Sequence, residues 1–265
     1  MTRALVLGGG GVAGIAWTTG VIAGLLAQDV DVRDADVLIG TSAGAAVGAQ
    51  LCGGTPVEDL YARQLDENHG EISVEIDTEE LIAMMTDLGD DADPYSAEHR
   101  ARIGAFALAA KTVPEQRRRA VIEWRLPVHT WSDAPLRIVA VDALSGEERI
   151  FTKSSGVSLV DAVAASCAVP GVWPPVTIEG RRYVDGGVRS FTNVDLAEGY
   201  DNVLVIGPIV EPEVTVPNGV LITPDEASQE AIGVNALDPS TRPAAAKAGR
   251  AQAADVVDSV RAIWR

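Results

Sequence analysis

Between Arg3 and Asp29 the chain carries no charged residue, and four consecutive glycines, Gly8 to Gly11, sit inside this apolar run. An unbroken apolar segment of that length reads as a membrane span or a secretion signal. Glycines in its middle argue against both, because each disfavours a helix by about 1 kcal/mol relative to alanine. What fits is a short buried strand, RALVL, then a glycine loop, then a helix from about Val12 to Gln28. The strand ADVLIG and a helix beginning at Ala43 come next. This β-loop-α-β-turn-α order implies parallel strands in a sheet covered on both faces. With neither span nor signal, the chain is expected to be cytoplasmic.

From about residue 56 to 130 helical patterns dominate: VEDLYARQL, TEELIAMMTDL, AEHRARIGAFALAAK and PEQRRRAVIEWR. Strands then resume at PLRIVAVDA and ERIFT, so this stretch reads as a helical insert in one domain spanning residues 1–265. A helix at SLVDAVAASC, a hairpin VTIEGRRYVD and the strands NVLVIG and GVLIT follow. The last helix, about Pro243 to Trp264, carries Val256, Val260 and Ile263 as an apolar stripe and is expected to pack on the sheet.

Composition narrows the function. A net charge of −17 leaves no basic stripe for nucleic acid and no polybasic patch for anionic bilayers. Cys52 and Cys167 sit among small apolar residues and read as reduced fillers; His69, His99 and His129 have no metal-ligand spacing. No metal and no cofactor are expected.

Three glycine-bracketed motifs carry the chemistry. GTSAG, Gly40 to Gly44, stands between a strand and a helix, the context of a nucleophile elbow that presents Ser42. Gly9-x-Gly11-x-x-Gly14 also matches a dinucleotide-binding fingerprint, but the next strand ends at GTSAG rather than at the acidic residue such a site needs. Beside a nucleophile, glycine N–H groups at a helix start suit an oxyanion hole instead. No histidine follows His129, so a late histidine base is missing; the strongest remaining candidate is Asp185 in YVDGGV, followed by Gly186 and Gly187.

In this order, GGGGVAG, GTSAG and DGG resemble the patatin-like phospholipase family, and ASCAVPGVWPPV (Ala165 to Val176) is similar to that family's stretch before its aspartate motif. The resemblance runs from about Ala4 to Asn193. It implies a three-layer α/β/α sandwich with a mainly parallel sheet, and a lipid acyl hydrolase of phospholipase A, lysophospholipase or carboxylesterase type. It also implies a Ser42–Asp185 dyad, an oxyanion hole of Gly9, Gly10 and Gly11, an acyl-serine intermediate, and a lipid or other hydrophobic ester as partner, met through at most transient membrane contact. A non-catalytic binding protein on the same fold and a transacylase are the alternatives. Oligomeric state is left open.

Two departures stand out. The family usually has an arginine before the last glycine of the first loop, where this chain has Ala13; and Asn193 stands without the proline of the usual N-x-P. Elsewhere the acidic run Asp87 to Glu98 reads as a solvated linker, and Leu81, Met84, Met85 and Leu88 as a buried helix face. EQRRRA reads as an exposed charged face, Ser166 and Cys167 as packing residues. An aspartate base near pKa 4 implies activity well below neutral pH, unless burial raises it.

Overall fold

The computed structural model describes residues 1–67, 70–73, 96–216 and 218–264. His69, the segment TEELIAMMTDL and most of the acidic run lie outside the described residues. In chain order the elements are β1 (Arg3–Leu7), α1 (Gly11–Leu26), β2 (Val37–Thr41), α2 (Ala43–Cys52), α3 (Val57–Leu65), α4 (Ala97–Ala109) and α5 (Glu115–Arg125). Then come β3 (Leu136–Asp142), β4 (Glu148–Phe151), α6 (Leu159–Ser166), β5 (Val176–Ile178) and β6 (Arg181–Asp185). The chain closes with β7 (Asn202–Ile206), β8 (Gly219–Ile222), α7 (Glu226–Ile232) and α8 (Arg242–Ile263).

The strands form one mixed, mostly parallel sheet. β1 lies between β2 and β7, parallel to both; β8 extends the sheet beyond β7, and β3 pairs parallel with β2. β4 and β6 run antiparallel to β3, and β5 completes a hairpin with β6. Side chains alternate between faces with period two. Leu5, Leu7, Leu38, Ile138, Leu204 and Ile206 enter the large core beneath the helices. Ala4, Val6, Val37, Ile39, Val139, Val203 and Val205 enter a smaller cluster, covered by the turn Val194–Ala197. On that second side Ala107 of α4 also packs against Val141 and Val184. The α/β/α layering is therefore uneven among the described residues, with the thicker layer on the first face.

α1 is apolar all round because other helices enclose it, α8 above all, with α2 and α3 beside it. The stripe expected on α8 needs correction. Val257 and Val260 are buried, Val256 and Ile263 only half-buried, and the main partner is α1 rather than the sheet. Ala245, Ala246, Gly249 and Ala253 let the two helices meet at backbone distance; a Cβ on Gly20 would lie 2.1 Å from the Ala246 carbonyl. Reading only large apolar residues misses such a small-residue face. Trp17 is fully buried there and donates from Nε1 to Gln252 Oε1 at 3.1 Å.

Candidate active site

The elbow forms where β2 gives way to α2. Ser42 sits at φ 52° and ψ −112°, a conformation that costs about 1–3 kcal/mol and persists only where its surroundings hold it. They do. The Gly44 N–H donates to the Gly8 carbonyl at 3.0 Å, and a Cβ on Gly44 would stand 1.9 Å from the Leu7 carbonyl oxygen. Only glycine lets α2 start this close to β1, and Gly40 meets Gly44 and Ala45 at similarly short range. The Ser42 N–H donates to Ser166 Oγ at 2.9 Å, and the Cys167 thiol donates to the Ser42 carbonyl at 3.1 Å. Ser166 and Cys167, read from sequence as packing residues, thus clamp both sides of the elbow.

Asp185 reaches Ser42 through strand pairing. Ala140 of β3 pairs with Arg149 of β4 on one side, so its second partner, Asp185, lies on the other. Val139 pairs with Ile150 and, on that same other side, with Thr41. β2 and β6 therefore meet tip to tip along one edge of β3, which sets Ser42 and Asp185 side by side. Gly186 fits this junction because a Cβ there would lie 2.4 Å from the Val139 carbonyl. Asn193, fully buried, ties the two ends together: its Nδ2 donates to Thr41 Oγ1 at 2.9 Å and to the Ser190 carbonyl at 2.7 Å.

Asp185 is buried. Its Oδ1 accepts from the Gly187 N–H at 2.7 Å, whereas Oδ2 is buried without a regular hydrogen bond. Burial pushes the carboxyl up to about 6, against the opposing pull of the neighbouring Ser42 hydroxyl, the Gly187 N–H and the Arg118 charge.

The glycine loop holds one surprise. The Gly9 N–H already donates to the Phe191 carbonyl at 2.8 Å and so is not free, contrary to the expectation that all three glycines offer donors. Gly10 and Gly11 have no hydrogen-bond partner for their N–H groups among the described residues, and Gly11, at φ 64°, opens α1. Ala43, directly after Ser42, likewise has a free N–H at the start of α2. Gly14 faces Pro208 and Ala43, bringing α1 and α2 close beside the site.

A small cavity of about 10 Å³, room for roughly one water, is lined by Ser42, Arg118, Trp173 and Leu237 among others. A groove of about 570 Å³, under Val194, Tyr200 and Val216, includes neither Ser42 nor Asp185. EQRRRA is exposed at Gln116, Arg117 and Ala120, but Arg118, like Arg125 further along α5, is buried. Arg125 makes a two-pronged ion pair with Glu71, both contacts at 2.7 Å. Burial raises Cys167 to about 11. His129 is exposed and His99 half-buried, and neither lines the cavity. No group of three or more His, Cys, Asp or Glu among the described residues is arranged to hold a metal ion.

The family model for patatin-like phospholipases matches residues 5–198. The chain belongs to the patatin-like phospholipase family. Family membership supports lipid hydrolase activity. Among solved structures, VipD from Legionella pneumophila matches with a TM-score of 0.51 and 15% identity, over 97% of this chain and 67% of that one. Type III effector protein ExoU matches with a TM-score of 0.43 and 16% identity, over 98% of this chain and 53% of that one. The likeness to VipD shows a shared fold. Ala13 is buried with its N–H bonded to the Ala236 carbonyl, and the first loop, Gly8 to Gly14, brings no cation to the site. No helix among the described residues is long and apolar enough to cross a membrane.

Proposed function

We propose that this protein cleaves carboxylic esters of lipids through an acyl-serine, with Ser42 as nucleophile and Asp185 as its base. The observation that carries the reading is Asp185 Oδ2, a buried carboxylate oxygen without a regular hydrogen bond, beside a serine held in a strained elbow. Hydrogen bonds of a dyad are often poorly aligned before substrate arrives.

In the first step Oδ2 takes the Ser42 proton as Oγ attacks the ester carbonyl. The tetrahedral oxyanion lies against the N–H groups of Gly10, Gly11 and Ala43, helped by the positive N-terminal ends of α1 and α2. Each such donor is worth about 3 kcal/mol in the transition state. Collapse breaks the C–O bond, and the protonated Asp185 returns its proton to the leaving alcohol. Water then attacks the acyl-serine, giving its proton to Asp185, and the second collapse frees the carboxylic acid and restores Ser42. The cavity is too small for an acyl chain as it stands, so entry displaces lining side chains such as Leu237.

The pH dependence expected from a carboxylate near 4 shifts with burial. With Asp185 at about 6, kcat/KM falls in acid with a midpoint near 6 rather than near 4. The test is release of free fatty acid from short-chain and long-chain esters by wild type, Ser42→Ala and Asp185→Asn. Wild-type release that disappears in both variants supports the dyad; release that survives Ser42→Ala overturns it.

A further inference from the structure

The cavity beside Ser42 is lined by a cation with no carboxylate bound to it among the described residues. Arg118 lines this cavity and is only 3% exposed. Its guanidinium lies over the Trp173 ring, 3.8 Å from the centroid, which leaves the N–H groups around its edge to find partners in its own plane. Two of the nitrogens, Nε and Nη1, are buried and have no hydrogen-bond partner among the described residues. Arg125, which lines the same cavity, differs: Glu71 occupies its fork on both prongs. A buried charged donor left open is costly unless something completes it. The oddity is sharper because the protein as a whole carries −17 and has acidic side chains to spare.

Burial holds Arg118 down at about 9, with Arg125 lowering it further and Cys167, Glu71 and Asp185 pulling it up, so it is still charged at neutral pH. Apart from Arg125, whose charge Glu71 answers, the rest of the cavity wall, including Val12, Ile15, Val169 and Leu237, is uncharged. Ala13 leaves the glycine loop without a charge as well.

We propose that Arg118 is the specificity-determining residue of the cavity and binds an anionic group, a carboxylate or a phosphate, carried by the substrate close to its scissile carbonyl. The substrate class is then an anionic ester rather than a neutral acylglycerol. Trp173 orients the guanidinium, and the anion supplies the acceptors that Nε and Nη1 lack. This rests on the reading of Ser42 as nucleophile.

The test uses two matched pairs of soluble hexanoyl esters. One pair is hexanoylglycerol phosphate against hexanoylglycerol; the other is hexanoyl-hydroxybutyrate against its primary amide. Calorimetric binding is measured on Ser42→Ala, where no turnover occurs, with and without Arg118→Gln. At least one anionic member is expected to bind about 10-fold or more tighter than its neutral partner, and Arg118→Gln to remove that preference. Arg118→Lys, which keeps the charge, is expected to retain an intermediate preference, which also covers the case in which Arg118→Gln fails to fold. The pair that shows the preference tells phosphate from carboxylate. For the otherwise wild-type protein the same preference is expected in KM rather than kcat. No preference in either pair overturns the proposal, as does an equal loss for charged and neutral members in Arg118→Gln with none regained in Arg118→Lys. Selective binding to Ser42→Ala with no hydrolysis by wild type leaves Arg118 standing and sinks the reading of Ser42 instead.

Discussion

Replacing Asp185 with asparagine is expected to abolish activity and, at neutral pH, to make the protein more stable. Burial raises this carboxyl from 3.8 to about 6. A folded-state pKa above the unfolded value means the native state holds its proton more tightly than the unfolded chain does. The stability associated with that proton is complete below about pH 4 and is lost as pH rises through 6. Above pH 7 the ionised carboxylate therefore weighs against folding by about 3 kcal/mol, taking 1.36 kcal/mol per pKa unit. Asparagine is nearly isosteric and keeps an oxygen for the Gly187 N–H, while its amide replaces an Oδ2 that lacks a regular hydrogen bond. For a chain of this size the gain corresponds to about 5–10 °C in Tm. Thermal melts of wild type and Asp185→Asn from pH 4 to 8 check it. The two curves should converge near pH 4 and separate above 6. Equal melting temperatures at pH 8, or a gap that does not change with pH, refute the argument that Asp185 is held at the expense of stability.

Other perturbations test other parts of the site. Gly44→Ala drives a Cβ into the Leu7 carbonyl, so it is expected to fail to fold or to lose several kcal/mol, read by urea unfolding. Glu71→Gln leaves the buried Arg125 without its carboxylate and is expected to cost about 3–5 kcal/mol in the same measurement. Cys52 and Cys167, both raised to about 11 by burial, are expected to resist iodoacetamide at pH 8 in the native protein and to react after unfolding, as counted by intact mass. Asn193→Ala removes the tie between Thr41 and the loop after Asp185; kcat is expected to fall about 10-fold or more, with melting lowered by loss of buried hydrogen bonds.

The parts of the site written in backbone constraint were legible in the sequence. Gly44 and Gly186 stand where another side chain would strike the backbone of β1 or β3, and such positions leave glycines next to the residues they position. The clamp on the elbow was not legible, because Ser166 and Cys167 bond to Ser42 from more than a hundred residues away and nothing local marks them. Gly9 looked like its neighbours until Phe191 supplied an acceptor for it. Arg118 and Arg125 do carry a signal in the sequence. They share the helical spacing of Val121 and Ile122, so one face of α5 carries two apolar residues and two guanidiniums while Arg117 points to solvent. A run of charges suggested an exposed face, but period decides which member of the run turns inward. α7 was likewise missed, although Asp225 three residues before Ser228 is an N-cap pattern, and the Ser228 N–H does donate to the Asp225 carboxylate at 2.8 Å.

The most direct test of the central claim is fluorophosphonate labelling, read by intact mass and peptide mapping, because the reagent reacts with serines activated for attack. Wild type is predicted to take one label, on the peptide containing Ser42, with labelling absent in Ser42→Ala and strongly slowed in Asp185→Asn. Folded wild type that takes no label, or a label that persists in Ser42→Ala, contradicts the account.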